Sequence, residues 1–395
     1  MLVLSSHRLM SLAKAQLPPP RVVVIGNFDG VHRGHKALLR RAHELLESAA
    51  GTGGGRGSLL VLTFSPHPAR VLAPHLAPPL ISSVERKREL LAQQGVDALI
   101  EEPFDRRFSQ LTPEEFVAQI LLDADGAGLG ASAVVVGYDF TFGRGRSGNT
   151  QVLGEFLGRG GAAVSVVPPV TVPEPSSDEA LLCSSTLVRQ ALKAGQPERA
   201  ALLLGHDPEL EGEVVHGAGR GRSIGVPTAN LRCTSEALPA VGVYAAWAEL
   251  LEAETPVTGI KGPNAQQLPA LEPGQMAGAV PFIADLRRIR LCCPAAVNVG
   301  YNPTFTSSRG DSPVPHPDPS VSPVLPVSSA SPITIEAHLI TRPDEPPLPS
   351  LYGQTLRLRF VSRVRAEQKF PSVAALVDQI GKDIAVVKSR LGVQK

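Results

Sequence analysis

Short apolar runs alternate with amphipathic stretches over the first half of the chain, then strand-like runs continue alone. Val22–Gly26 (VVVIG) is a β-branched run ending in glycine, the pattern of a fully buried strand. Asn27–Gly34 reads as a loop, and His35–Glu47 sets Leu38, Leu39, Ala42, Leu45 and Leu46 at helical spacing. The glycine-rich Gly51–Gly57 closes this unit as a surface loop. Leu59–Phe64, Ala98–Glu101, Ala133–Gly137 and Ala163–Val167 are further strand candidates, with helices at Glu85–Gln94, Pro113–Leu122 and Asn149–Leu157. Such alternation across Arg21–Val170 predicts an α/β domain with a doubly wound parallel sheet. Pro168–Ala180 reads as a loop, followed by helices at Ser184–Lys193 and Pro197–Leu204.

The texture changes near Gly205–Glu211. Glu211–His216, Gly242–Leu250, Arg290–Gly300, Ile333–Leu339 and Thr355–Val361 are strand candidates without helices between them, which predicts an antiparallel barrel or sandwich. Ser307–Pro332 is rich in proline and serine and reads as an insertion within this second domain. Ser372–Leu391 carries Val373, Leu376, Val377, Ile380, Ile384, Val387 and Leu391 at steps of three and four, an amphipathic C-terminal helix packed on the barrel. The chain therefore divides into an N-terminal extension at 1–20, an α/β domain at 21–204, and a β domain at 205–395 with its insertion at 307–332.

A length of 395 residues and a formal net charge of +1 fit two domains without a duplex-binding surface or a polybasic membrane patch. Neither nucleic acid nor membrane is expected as a partner, and a homo-oligomer is allowed. Cys183, Cys233, Cys292 and Cys293 form no CxxC pair, which argues against zinc and against a disulfide framework. No apolar stretch reaches the roughly 18 residues needed to span a bilayer, and the start is a poor secretory signal. A cytoplasmic location is expected.

Candidate chemistry begins at GNFDGVHRGH, Gly26–His35. Its glycines permit tight turns and close backbone approach to a ligand. Its two histidines stand at a helix entrance, where free N–H groups and the dipole favour anions. Two imidazoles there can donate to a phosphate as charge develops on it. The plain alternative is a histidine pair in a polar loop.

This stretch resembles the HxGH nucleotidyltransferase superfamily, and in this form its FAD synthetase branch. The resemblance implies that His32 and His35 stabilise the transferring α-phosphate of ATP, while Gly26, Asn27, Phe28 and Asp29 shape the nucleotide pocket. TFSPHP (Thr63–Pro68) resembles the family's TFEPHP, with Ser65 where glutamate is usual. GYDFTFGRGRSG (Gly137–Gly148) resembles GxDFxFGxxRxG, so Pro66, His67, Asp139, Phe140 and Arg146 are implied on the FMN side. SSTLVR resembles SSTxxR, which implies that Ser184, Ser185, Thr186 and Arg189 hold the β- and γ-phosphates. Alone, such a start is more often a simple helix cap.

No GxxxxGK[ST] occurs. GEVVHGAGRGRSIGVPTANL (Gly212–Leu231) instead resembles riboflavin kinase, with its PTAN at Pro227–Asn230. By that resemblance Thr228 and Asn230 help hold the Mg2+ of MgATP, while Gly217, Gly219, Arg222 and, from LYG, Tyr352 contact nucleotide. GVYAA (Gly242–Ala246) and NVGYNPTF (Asn298–Phe305) resemble GVYA and NIGxxPTF. IEAHL resembles VEVHL, making Glu336 the implied general base, and alternation puts Thr334, Glu336 and His338 on one strand face. RAEQKF resembles RxExKF, so Arg365, Glu367 and Phe370 are implied beside the isoalloxazine.

The chain departs from the pattern at Ser307–Pro332 and in lacking an acid just before LYG. Motifs in order from Val22 to Leu391 resemble the prokaryotic-type bifunctional riboflavin kinase/FAD synthetase family. The implied substrates and products are riboflavin, FMN, FAD and ATP. The alternatives are a chain that keeps only FAD synthesis, a non-enzymatic flavin sensor, and an HxGH transferase with another acceptor.

Overall fold

The computed structural model describes residues 1–51, 56–123, 126, 128–175, 179–217, 221, 224–252, 282–283, 287–301, 333–341 and 348–393. Two bodies of secondary structure follow one another. The first is built on strands β1 (Leu2–Leu4), β2 (Arg21–Ile25), β3 (Ser58–Ser65), β4 (Ala98–Pro103), β5 (Ala133–Gly137) and β6 (Ala163–Val167). They run parallel in the order β1-β4-β3-β2-β5-β6. The uninterrupted apolar runs of β2, β3 and β5 reflect burial on both faces. Val22, Val24, Leu59 and Val61 pack on one side against Leu38, Leu39, Leu90 and Leu91. Those leucines belong to helices α1 (Arg33–Ala50) and α2 (Val84–Gln93). Val23, Ile25, Leu60 and Leu62 pack on the other side against Leu153 and Leu157 of α3 (Thr150–Arg159). The sheet is doubly wound, as the alternation predicts.

Several local expectations change. Residues 1–20 are part of the sheet domain: β1 pairs with β4, and Met10, Ala13 and Leu17 are buried in its core. Glu102 ties this segment down by accepting from the His7 N–H at 2.6 Å and the Ser6 hydroxyl at 3.2 Å. The helix expected at Pro113–Leu122 is α-helical only over Pro113–Phe116 and then widens to a π-turn at Val117–Leu121. The loop expected at Pro168–Ala180 contains a hairpin of β7 (Thr171–Pro173) and β8 (Ala180–Leu182). Helices α4 (Ser185–Lys193) and α5 (Pro197–Leu204) complete the unit, and α5 ends on Gly205 at φ +72°.

The second body is a closed antiparallel barrel, ordered β10-β14-β13-β11-β15-β9. Its strands are β9 (Glu209–Val215), β10 (Ala229–Cys233), β11 (Gly242–Leu251), β13 (Ile289–Tyr301), β14 (Ile333–Leu339) and β15 (Thr355–Arg365). A two-residue β12 (Phe282–Ile283) adds antiparallel to β1 of the first sheet. Strand β10 was not foreseen, because PTAN follows a glycine-rich loop and only five residues carry the pattern. Tyr244, Ala246, Val297, Ile335, Ala337, Leu356 and Phe360 fill the barrel interior. The C-terminal helix α6 (Val373–Arg390) packs outside it through Val387 and Ile384. The insertion at 307–332 lies outside the described residues, whereas Leu348, Pro349 and Ser350, the acid-free positions just before LYG, are described.

Candidate active sites

β2 pairs with both β3 and β5, so the strand order reverses at its edge. Open α/β sheets bind ligands at that switch point, beyond the carboxyl ends of the strands. The loop Gly26–His32 leaves β2 there, and Gly137–Gly148 leaves β5 beside it. Phe28 at φ +52°, Gly30 at +78° and Val31 at +40° put three positive φ angles in one short turn. Two of these are not glycine, a strain of about 1 kcal/mol each that the surroundings must offset. Phe28 and Val31 are wholly buried, and Asp29 accepts the N–H groups of Ile81 (2.9 Å) and Ser82 (3.3 Å).

His32 caps α1, its Nδ1 accepting the His35 N–H at 3.4 Å. That contact assigns the His32 proton to Nε2, the ring edge turned away from the cap. The two imidazoles stack with centroids 3.7 Å apart, and Phe28 lies 4.9 Å from the His35 ring. Burial, helped by the Arg189 charge, lowers the His32 pKa to about 4. Burial, then His32 and Lys87, pushes His35 well below the usual histidine range. Both rings are therefore neutral N–H donors at neutral pH, and the buried His35 Nδ1 has no hydrogen-bond partner among the described residues. Gly34 has to be glycine-sized, since a Cβ would come 2.9 Å from the His32 ring and 3.0 Å from the Cys183 carbonyl.

The SST segment is partly a cap, as its plain reading allows. Ser184 Oγ accepts from the Leu187 N–H at 3.3 Å, and Ser185 Oγ donates to the Asp29 carbonyl at 3.0 Å. Thr186 is exposed. Arg189 binds the Asp29 carboxylate and, through Nε, the Pro79 carbonyl at 2.7 Å. Thr63 donates to the Asn27 carbonyl at 3.2 Å, and Gly26 N–H donates to Leu62, which fixes the loop's first turn. On the other bank, Pro66, Asp139 and Arg146 are exposed, while Phe140 stacks on Phe142 at 5.4 Å. His67 caps a short helix and faces Asp29, Arg189 and Lys87, its pKa lowered mainly by burial.

In the barrel, the register sets Asn230 directly across from Glu336, and Glu336 directly across from Asn298. Ile335, Ala337 and Leu339 point into the barrel core, so Thr334, Glu336 and His338 take the opposite face, as alternation requires. His338 Nδ1 lies 2.9 Å from the Pro227 carbonyl and so anchors PTAN to this face. Gly217 leaves room for Asn230, because a Cβ there would fall 2.2 Å from the carboxamide nitrogen. At Gly221 a Cβ would come within 2.3 Å of the Val226 carbonyl and 3.2 Å of Thr228 Oγ1. Tyr352 is half exposed and stacks on His216 at 3.8 Å. Gly219 and Arg222 lie outside the described residues.

Among the described residues no group of three His, Cys, Asp or Glu side chains could hold a metal ion. The hydroxyl of Thr228 and the carboxamide of Asn230 are instead the hard, sparse donors that suit an ion carried mainly by phosphate and water. Glu367 Oε1 and Asn298 Nδ2 approach the same point, 3.0 and 3.2 Å from where a Gly300 Cβ would stand. Arg365 is occupied differently. It makes a bidentate pair with buried Asp383 of α6, at 2.8 and 3.0 Å, and lies 5.6 Å from the Phe370 ring centre.

Comparison with known proteins agrees with both halves. Residues 14–178 match the FAD synthetase family and residues 204–391 match the riboflavin kinase family. A bifunctional riboflavin kinase/FMN adenylyltransferase of Escherichia coli (strain K12) is 30% identical over 95% of this chain and 94% of its own. The chain belongs to the bifunctional riboflavin kinase/FMN adenylyltransferase family. The Bacillus subtilis (strain 168) enzyme of the same name is 29% identical over 92% of this chain and 90% of its own. A crystal structure titled as a macrolide-efflux protein from Streptococcus pneumoniae covers 98% of both chains at 26% identity and a TM-score of 0.66. No helix among the described residues is long and apolar enough to cross a membrane.

Against this family background, the residues that the motifs left without a role are informative. Asn298 sits inside NVGYNPTF yet received no task, although it is the cross-strand neighbour of Glu336. Lys87 faces His35, His67 and Asp29 from α2, with its pKa lowered by burial. Asp383 is one polar residue in an amphipathic helix, and its link to Arg365 is tertiary. The IEAHL alternation could have led to Asn298, by pairing strands on one face. Nothing local marks the other two.

Proposed function

We propose that FMN adenylylation occurs on the His32–His35 loop and riboflavin phosphorylation on the Asn230–Glu336–Asn298 face. The observation that carries the first is the stacked, neutral histidine pair at the sheet's switch point. A phosphate oxygen of FMN attacks the α-phosphorus of ATP in line. The new P–O bond forms as the bond to the β-phosphate oxygen breaks, and pyrophosphate leaves. His32 donates from Nε2 to the α-phosphate as its charge redistributes, and His35, stacked on it, is the second imidazole that stabilises that phosphate. Pro66, His67, Asp139, Phe140 and Arg146 orient FMN from the β3 and β5 side. Ser184, Ser185, Thr186 and Arg189 frame the triphosphate.

On the barrel, Glu336 takes the proton of the ribityl 5′-hydroxyl as its oxygen bonds to the γ-phosphorus, and ADP leaves. Thr228 and Asn230 would hold the Mg2+ of MgATP, which would supply neutralisation of phosphate charge. Gly217 and Tyr352 border the nucleotide, and Glu367 and Phe370 border the flavin. ATP-dependent synthesis of soluble cofactors fits a cytoplasmic enzyme with small-molecule partners.

Chromatography with each substrate supplied separately tests the assignment. His32→Ala with His35→Ala is expected to abolish FAD from supplied FMN while FMN still forms from riboflavin. Glu336→Gln is expected to do the reverse, with a loss of about 10²- to 10⁴-fold. FAD output surviving the double histidine variant would overturn the first half.

A further inference from the structure

The Gly30 peptide is gripped from both ends. Its N–H donates to Ser82 Oγ at 3.2 Å. Its carbonyl oxygen lies 3.1 Å from His206 Nε2, and the other ring nitrogen of His206 lies 2.8 Å from the Asp207 carbonyl. A carbonyl only accepts and a neutral imidazole carries one N–H, so the ring donates to one of these two carbonyls at a time, and with the proton on Nε2 the hydrogen bond goes to Gly30. Gly30 is also clamped sterically, since a Cβ would meet Ile81 at 2.9 Å and Leu204 at 3.1 Å.

His206 belongs to the connector that leaves α5 and enters the barrel at β9. The end of α5 and the connector are both fastened to the first turn of α1. Arg33 Nε donates to the Leu202 carbonyl at 2.8 Å, and Lys36 Nζ donates to the Gly205 carbonyl at 3.2 Å. A barrel residue also reaches the other grip, for Glu211 accepts from the Ser83 hydroxyl at 2.8 Å, next to Ser82. Gly30 stands two residues before His32 in a turn of positive φ angles closed by a backbone hydrogen bond from the Val31 N–H to the Phe28 carbonyl at 3.3 Å. What holds that turn decides where the imidazoles stand.

We propose that His206, supplied by the connector to the barrel, is a positioning residue for adenylyl transfer: it fixes the Gly30 peptide and, through it, the placement of His32 and His35. This rests on the assignment of adenylyl transfer to that loop. Displacing a catalytic group by about 1 Å can cost on the order of 10²-fold in rate, so losing the grip acts on turnover more than on nucleotide affinity.

The test uses the full chain with His206→Ala and His206→Gln. Rates of FAD formation from supplied FMN are measured against ATP concentration, alongside FMN formation from riboflavin. His206→Ala is expected to lower kcat for adenylyl transfer about 10- to 100-fold, with KM for ATP and the kinase rate nearly unchanged. His206→Gln, whose amide still offers a donor to Gly30, is expected to recover most of the loss. Unchanged adenylyl transfer in the alanine variant, an equal fall in both activities, or a glutamine variant no better than alanine would overturn the proposal. If the alanine variant does not fold, the glutamine variant with Ser82→Ala decides: the proposal needs a selective loss of adenylyl transfer there, and an unselective loss or none refutes it. Failure of the underlying assignment is told apart by His32→Ala with His35→Ala, which would then leave FAD formation intact.

Discussion

At the scale of single residues, both sites depend on atoms that are absent as much as on those present. Gly217 lacks the Cβ that would stand 2.2 Å from the Asn230 amide. In Gly217→Ala the carboxamide has to swing away from the strand face it shares with Glu336. The kinase rate is expected to fall about tenfold or more, the order seen when a phosphate-positioning group is displaced, with FAD formation from supplied FMN unaffected. His32 makes a different statement, through protons. Its folded pKa of about 4 lies below the ordinary histidine value of 6.5, so the unfolded chain binds a proton that the folded chain refuses between those values. Folding stability from this group is complete above about pH 6.5 and is lost as pH falls toward 4, by on the order of 3 kcal/mol. His32→Asn keeps a helix-capping side chain but removes the proton. Denaturant midpoints between pH 7 and 4.5 are expected to fall less steeply in that variant than in the parent.

At the scale of elements, the sequence is readable wherever burial is written as a local period. The β-branched runs of β2, β3 and β5 and the spacing of α1, α3 and α6 follow from which faces are covered. Elements held by partners far along the chain are not visible that way. β1 is three residues long and is a strand because β4 and β12 lie beside it, and β7 and β8 are each other's partners. The sites divide likewise. The Gly26–His35 loop is contiguous and legible, while the Asn230–Glu336–Asn298 row exists only after three strands are in register. The docking of α6 is a further case, because its apolar stripe is evident but its anchor is the pair of Arg365 with buried Asp383. Removing one partner of such a pair leaves a buried charge, at a cost of about 3 kcal/mol or more. Asp383→Ala and Arg365→Ala are therefore each expected to lower the melting temperature. The double variant should cost clearly less than the sum, which a double-mutant cycle reads directly. An additive cycle would show that Arg365 and Asp383 act independently.

At the scale of the whole molecule, the two catalytic bodies are joined by buried charge. Arg86 and Glu89 of α2 meet Glu209 and Glu211 of β9, Arg357 of β15, and Arg287 just before β13. The side chains are only 4–10% exposed, and Glu211 is shared by Arg287 and Arg357 at 2.7 Å each. Burial works against the Glu89 carboxylate. The hydrogen bond from Arg287 and the charges of Arg357 and Arg287 outweigh it and hold the carboxyl below its usual range. Burial likewise opposes the Arg357 guanidinium, and Glu211, Glu89 and Glu209 reverse that effect. Such a network contributes little net stability when whole and is costly when broken, because desolvation is already complete. Arg357→Met leaves the buried Glu89, Glu209 and Glu211 to Arg86 and Arg287 alone and is expected to cost about 3 kcal/mol. Because the network bridges sheet domain and barrel, the loss falls on their union rather than on either core. Calorimetry is expected to show the parent melting in one transition and Arg357→Met in two. Each half would retain its own activity below the first transition. Adding Glu211→Leu to Arg357→Met replaces the carboxylate left in excess by apolar contact and is expected to recover a large part of the loss. A single, equally cooperative transition in Arg357→Met would mean that apolar packing at the interface, and not this network, holds the kinase and transferase halves together.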